Sequence, residues 1–566
     1  MERNGRVPSW AAALAGLVAG AVAVGVSLPA AGVVKASAFP PAAAGAAAVD
    51  LAPAWLKDWA IRTFGEHDKT VLLAGVLLVL AAAAAAAGLL AARNPRYGPA
   101  VLGAFGALGL LAVLTRPGAG PADALPTLLG VAAGVFTLPL LLRRALAPAP
   151  AGRRRPSPGP GAGPRDASGP AGGSDPRPAS HPDPLPGGGS DPQRPAPQTP
   201  AVMRAGEELR AFDRRGLLTA ALGGAAVAGA GAVAGRLLTG RAEVDTARAG
   251  LALPRPAVPA RPVPAGSDLR IPGLSPFFTP NRDFYRVDTA LVVPRVDPAD
   301  WTLRIGGMVD RPVELTFADL LARPLVEADV TLCCVSNEVG GPYVGNARWL
   351  GVRLADVLRE AGVRAGADML LSSSADGWTC GTPSDVVLDG RDALLAVAMN
   401  GETLPVDHGF PVRLVVPGLY GYVSATKWVT EIKATRFDRD EAYWTPRGWS
   451  ARGPVKTQSR IDLPKAGAEL PAGRTVIAGV AWAQHRGVDA VEVRVDGGPW
   501  RQARLAEAPT ADTWRQWVLD DWDATPGGHT IEVRATDATG RTQTAERAPV
   551  APDGATGLHA VTVTVT

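Results

Sequence analysis

Two strings in the second half of the chain hold the residues best suited to chemistry. In the first, Thr331-Leu332-Cys333-Cys334-Val335-Ser336-Asn337, a cysteine ends an apolar strand-like run, just ahead of a turn-forming Ser-Asn and Gly340-Gly341. A thiolate leaving a strand for a loop can reach a bound metal, and soft sulfur suits a metal already held by sulfur. The second is Asp407-His408-Gly409-Phe410-Pro411-Val412-Arg413-Leu414-Val415-Val416-Pro417-Gly418, followed by Thr426-Lys427-Trp428. Histidine, arginine and lysine around a tight loop and a buried strand make an anion site, because a guanidinium forks onto phosphate oxygens. Taken singly, each of these bases reads equally well as a solvated surface charge. Only three cysteines occur, Cys333, Cys334 and Cys380. Two are neighbours, which is poor material for a disulfide framework and leaves either a thiol kept for chemistry or a small buried hydrophobe.

Together these strings closely resemble the sulfite oxidase family of molybdopterin enzymes. The resemblance runs from about Leu269 to the C-terminus and includes Asn281 to Ala290, with Phe284-Tyr285-Arg286, and Ala347-Arg348-Trp349-Leu350-Gly351. It implies that Cys334, three residues before Asn337 in a Cys-x-x-Asn string, is the one protein ligand of molybdenum, and that Cys333 is not. It implies that His408, Arg413 and Lys427 grip the pterin phosphate, with Asn281, Phe284, Tyr285 and Asn337 completing a molybdenum-molybdopterin site. Arg286, Arg348 and Arg486, the last in Trp482-Ala483-Gln484-His485-Arg486, are the cationic candidates on the substrate side.

The string departs from the family at two points. Asn337 is followed by Glu338, where animal and plant members carry an arginine, and Gly377-Trp378-Thr379-Cys380-Gly381 puts Cys380 near the place of their tyrosine. Sulfite is therefore not singled out as substrate. The implied reaction is oxygen-atom transfer to or from a small sulfur-containing or similar molecule, with single electrons exchanged with a separate carrier such as a cytochrome or a quinone-linked protein. A sulfoxide reductase of the same fold is one other reading, and a cofactor-free membrane-anchored scaffold with a partner-binding sandwich is another.

These residues must be positioned by a multi-domain chain, since 566 residues exceed what one core usually serves. Four apolar runs, Trp10 to Val34, Thr70 to Ala92, Ala100 to Leu114 and Leu125 to Leu142, predict transmembrane helices within residues 1–146. A fifth, Leu217 to Leu238, is mostly Ala and Gly and lies in segment 214–240; its opening Arg214-Arg215 resembles a twin-arginine export signal. Residues 147–213 are proline- and glycine-rich and predict a disordered cytoplasmic linker, and 241–267 predict an extracytoplasmic spacer. If the spans alternate, Arg3 and Arg6, Arg93 and Arg96, and Arg143, Arg144 and the Arg153 to Arg155 cluster all fall inside, whereas Lys57, Arg62, Lys69 and Arg116 fall outside. This makes a multi-pass protein of the cytoplasmic membrane with its catalytic half outside. No histidine lies in an apolar run, so no haem is expected. The net charge of +4 is small and gathers near apolar segments, which argues against a nucleic-acid partner.

Residues 268–450 then form the α+β molybdopterin domain. Residues 451–566 alternate apolar and polar in short runs, as at Val491, Val493 and Val495, Ile531, Val533 and Ala535, and Val561, Val563 and Val565. That pattern predicts an antiparallel, immunoglobulin-like β-sandwich, with Trp500, Trp514, Trp517 and Trp522 helping to pack it. In the resembled family this position holds a dimerisation domain, which implies a homodimer.

Overall fold

The computed structural model describes residues 7–53, 56, 59, 63–64, 68–116, 119–145, 212–238 and 241–566. Arg3, Arg6, Lys57, Arg62, Arg153 to Arg155 and nearly all of the expected linker lie outside the described residues. Helix α1 spans Ser9–Val34, α2 Pro40–Leu51, α3 Asp68–Arg93, α4 Tyr97–Leu114, α5 Leu125–Ala145, α6 Arg214–Leu238 and α7 Arg241–Gly250. All except α2 and α7 are long and apolar enough to cross a membrane.

Helix α1 is the hub of the bundle, and small residues let its neighbours approach it. A Cβ at Gly16 would stand 2.0 Å from the Ala84 carbonyl oxygen of α3, and one at Gly88 equally close to that of Ala12. On another side Gly25 meets Ala228 of α6, where a Cβ at Gly231 would lie 2.0 Å from the Gly25 oxygen. The Ala/Gly composition of α6, which makes it the least hydrophobic-looking run, is therefore what lets it lie backbone to backbone on α1. The Asp213 carboxylate caps α6 by accepting from Gly216 N–H at 2.9 Å, and Arg214 lies over the Trp10 ring.

Two sheets make up the middle of the chain. One has the order Val313–Thr316, Thr302–Gly307, Val429–Thr435, Met369–Ser374, Thr379–Pro383, antiparallel except for the pairing of Thr302–Gly307 with Val429–Thr435. The other is wholly antiparallel, in the order Val326–Cys333, Val344–Arg353, Leu394–Met399, Glu402–Thr403, with Arg413–Val415 also on Leu394–Met399. Val326–Cys333 is buried along nearly its whole length although Glu327, Asp329 and Thr331 interrupt its apolar residues, and Asp329 and Thr331 are paired there with Arg348 and Asn346.

The stretch expected as a spacer lies against the catalytic part. Val244 of α7 is buried in the core with Phe284, Val330 and Trp349, and Arg248 donates to the Thr403 and Leu404 carbonyls. The proline-rich piece then runs along the edge at Val326, giving Ala257 N–H to Leu325 and taking Glu327 N–H at Val258. Prolines lack an N–H, which suits an extended edge segment.

In the last part a four-stranded sheet (Gln458–Leu463, Gly473–Trp482, Arg515–Ala524, Arg504–Leu505) faces a five-stranded one (Glu469–Leu470, His559–Val565, Gly527–Asp537, Val488–Val495, Arg501–Gln502) across one apolar cluster. The alternating valines and Ile531 point into that cluster. Two expectations need correction. The edge pair Glu469–Leu470 with His559–Val565 is parallel, so the sandwich is not wholly antiparallel. Of the four tryptophans only Trp517 and Trp522 fill its core. Trp514 belongs to the core of the middle domain and donates to the Phe277 carbonyl, and Trp500 lies outside between the guanidiniums of Arg494 and Arg534.

Candidate active site

Cys334 is the first residue beyond strand Val326–Cys333. The adjacent thiols face different surroundings, as alternation along an extended chain requires. Cys333 packs in the apolar core with Val335 and Val344, whereas Cys334, 7% exposed, belongs to no apolar cluster among the described residues. Burial raises the Cys334 thiol above its ordinary value, opposed by hydrogen bonds from Ser336 and by the charge of Lys427. The loop after it is closed at its neck: Cys334 N–H donates to the Tyr343 carbonyl at 2.9 Å, and the Asn337 side-chain oxygen accepts from Tyr343 N–H at 2.7 Å. The Asn337 amide nitrogen, also buried, has no partner.

Aromatic rings connect this loop to the basic string. Tyr343 lies 6.3 Å from Tyr285, Tyr285 stacks on Phe284, and Phe284 meets His408 edge-on at 5.6 Å. Phe284 can lie there because residue 345 is glycine; a Cβ would stand 2.8 Å from its ring. Asn281 accepts from His408 Nε2 at its carbonyl (3.2 Å) and from Asn400 at its side chain (2.9 Å). Since a carbonyl can only accept, the His408 proton sits on Nε2 and Nδ1 is left as an acceptor, buried and without a partner. Burial, Arg413 and Lys427 push His408 down to about 3, so the ring is neutral at physiological pH.

Arg413 is 4% exposed. Its guanidinium donates to the His408 carbonyl and lies 5.0 Å over the Trp349 ring, but no carboxylate pairs with it among the described residues. Burial lowers it to about 10. Lys427 is buried too, donating to Asp288 and to the Asp407 carbonyl at 2.9 Å each, and burial brings it down to about 8 against the pull of Asp288. Gly409 brings these two bases together. Its φ is +113°, and a Cβ there would stand 3.0 Å from both Lys427 Cα and Arg413 Cβ.

Asp288 escaped the sequence reading. Its carboxylate takes Lys427, Arg286 (3.1 Å) and Lys69, which comes from the first turn of α3. Despite burial, Lys427 and Lys69 hold it well below the usual carboxylate range. Arg286 also faces Asp407 at 3.7 Å, so it sits at the rim of this cluster. The other two candidate arginines are engaged elsewhere. Arg348 forks onto Asp329 of the neighbouring strand at 2.7 and 2.9 Å. Arg486 binds Asp537, Thr457 and the Val455 carbonyl, where the sandwich meets the preceding segment. Glu338 is exposed. Cys380 is sealed beneath Thr426 and Thr382, and burial raises its thiol.

The sandwich also touches the cysteine loop, another feature the sequence did not signal. Arg460 donates to the Gly341 carbonyl at 2.9 Å, and the His559 ring fills the place where a Cβ of Gly340 would stand.

Comparison with known proteins locates this arrangement. A family model described as an oxidoreductase molybdopterin binding domain matches residues 290–444. The sulfite oxidase of Gallus gallus is 32% identical over 325 residues, covering 48% of this chain and 70% of that protein. The chain spans about half the length of the mammalian mitochondrial sulfite oxidases it matches. An uncharacterized oxidoreductase of Bacillus subtilis, YuiH, is 38% identical over 157 residues, 28% of this chain and 76% of that one. Among solved structures, the sulfane dehydrogenase SoxCD of Paracoccus pantotrophus aligns at 26% identity and a TM-score of 0.42, covering 50% of this chain and 81% of that one.

Proposed function

Because this chain belongs to the sulfite oxidase family of molybdopterin-dependent oxidoreductases, we propose that Cys334 ligates molybdenum and that Arg413, His408 and Lys427 hold its pterin. The observation that carries this reading is the Arg413 guanidinium, buried with no carboxylate among the described residues, while Nδ1 of the adjoining His408 and the buried Asn337 amide lack partners. A buried cation without a counter-ion is strongly disfavoured, and a bound anion removes the penalty. The residues therefore fit a polar ligand ending in phosphate. Arg413 forks onto phosphate oxygens, and Lys427, anchored by Asp288, adds a point charge. Neutral His408 accepts from a ligand N–H or O–H through Nδ1. Phe284 and Tyr285 form an aromatic wall, and Asn337 keeps the cysteine loop closed.

When bound, the molybdenum cofactor supplies the two-electron oxygen-atom transfer, while the protein contributes position, charge and access. Arg286, half-exposed at the rim, is the cation best placed to meet an entering oxyanion. The substrate is a small sulfur-containing or similar molecule, and a separate redox carrier exchanges the electrons.

The five apolar helices form a membrane anchor, with the catalytic part outside the cytoplasm. Two contacts support that sidedness: Asp50 with Tyr443 and Arg447, and Lys69 with Asp288, join the segment between α1 and α3 to the catalytic part. The sandwich is immunoglobulin-like and the surface through which a second copy pairs. Cys334→Ser tests the assignment. Turnover should fall to background and the metal be lost or displaced while circular dichroism stays unchanged, and full activity in that variant would reject it.

A further inference from the structure

The first turn of α3 carries a lysine that two sequence rules disfavour. Lys69 stands at the N-terminal end of its helix, where the helix dipole already places positive charge. On the sidedness proposed above it also lies outside the cytoplasm, where lysine and arginine beside membrane helices are sparse. A residue that breaks the rules of its own element points to a role beyond that element. The Lys69 ammonium reaches Asp288, whose side chain is only 6% exposed. Lys69 takes Oδ1, while Lys427 at 2.9 Å and Arg286 at 3.1 Å share Oδ2. The two oxygens of a carboxylate offer about four lone-pair sites, enough for all three. Held at both oxygens, the carboxylate has a fixed plane, and with it a fixed seat for the Lys427 ammonium.

The balance of charge points the same way. Among the described residues the cluster gathers the cations Lys69, Arg286, Lys427 and Arg413 against the carboxylates of Asp288 and Asp407, and Asp407 is exposed and 3.7 Å from Arg286. One buried carboxylate shared by three cations cannot neutralise them all, so a positive excess remains, and Lys69 supplies part of it. The bundle bears on the same stretch at a second point, where a Cβ at Gly45 of α2 would stand 3.0 Å from Leu291. The segment that carries Asn281, Phe284, Tyr285 and Arg286 is thus backed by the bundle at Asp288 and at Leu291.

We propose that Lys69 is a positioning residue of the pterin-phosphate site: by holding Asp288 from the bundle side it fixes the Lys427 ammonium and leaves the cluster the positive charge that a phosphate meets. The helical bundle is in this way part of the cofactor site and not only a tether. The inference rests on the reading of Arg413, His408 and Lys427 as the pterin grip.

The test uses the full pterin-free chain in detergent, with inorganic pyrophosphate as the probe and calorimetry as the readout. Lys69→Gln, which removes the charge, should weaken pyrophosphate binding about three- to tenfold, and Lys69→Arg should restore it. The fraction of chains that retain molybdopterin, when the cofactor is supplied, should fall and recover in the same order. Amide protection over residues 443–449, where the bundle is fastened through Asp50, should stay unchanged in both variants. Unaltered pyrophosphate affinity in Lys69→Gln, or weaker binding accompanied by lost protection over 443–449, would overturn the proposal and leave Lys69 as a fastener of the bundle. Arg413→Met is the reference. If it lowers affinity while Lys69→Gln does not, this inference alone fails; if neither variant lowers it, the reading of the pterin grip fails with it.

Discussion

Arg413 is held against its own preference for water, and that tension has a measurable sign. Replacing it by methionine removes a buried cation while keeping much of the volume against Trp349. The pterin-free protein should therefore melt a few degrees higher, whereas the fraction of chains retaining molybdopterin should fall at least about tenfold. Thermal scans and pterin content read the two effects, and a fall in both would reject the anion-site account. Lys427 gives a pH signature. Its folded value, about 8, lies below the ordinary 10.5, so between those values the unfolded chain holds more protons and pterin-free stability rises with pH. Over the same window the lysine loses its charge and affinity for an anion falls. Calorimetry with inorganic pyrophosphate from pH 7 to 10, beside melting curves, should show these opposite slopes. His408, at about 3 in the folded chain, should add no step to the pyrophosphate affinity near pH 6.5, whereas pterin-free stability should fall as pH drops from about 6.5, because there only the unfolded ring takes up the proton. The basic string was legible because His408, Arg413 and Lys427 lie within twenty residues of one another. Asp288 was not, because its partner Lys69 lies 219 residues away, and only the folded chain shows that one carboxylate gathers three cations.

Among the elements, the turn at Gly409 governs how closely two bases can be set. A methyl group there would press on the Lys427 backbone and the Arg413 side chain while φ stays at +113°, a region side chains avoid. Gly409→Ala should cost about 1 to 3 kcal/mol of stability and reduce pterin retention in parallel. Normal retention with normal melting would mean that the turn has slack. Period-two alternation made the sandwich strands readable, since half of each strand is buried and half is not. The same alternation could not say what lies beyond the strand ends. Trp514 looks like a core residue of the sandwich yet buries in the neighbouring domain, because its strand begins where Thr331 receives its N–H and the Asp512 carbonyl takes that of Thr331. Likewise the glycines of α6 look like weak hydrophobicity until Gly25 and Gly231 are seen in contact.

At the scale of the whole molecule, the apolar bundle is joined to the catalytic part through two carboxylates. Asp288 receives Lys69 from α3. Asp50 of α2 accepts from the Tyr443 hydroxyl at 2.6 Å and from Arg447 and Arg116 at 3.3 Å each, and Arg447 stacks 3.7 Å over the Tyr443 ring. These contacts differ in worth. The Arg116 pair is partly exposed and long, so it contributes about 0 to 1 kcal/mol, whereas the short bond from Tyr443 to a carboxylate contributes about 1.5 to 3. Asp50→Ala removes both, and it leaves Arg447 facing the bundle without a counter-ion. It should therefore loosen the joint far more than Arg116→Ala. Amide exchange is the suitable readout because it reports opening locally. Protection over residues 443–449 should drop clearly in Asp50→Ala and scarcely in Arg116→Ala, while Val326–Cys333, held by its own sheet, exchanges as before. Equal loss in the two variants would show that charge alone, and not the tyrosine bond, fastens the bundle to the catalytic part.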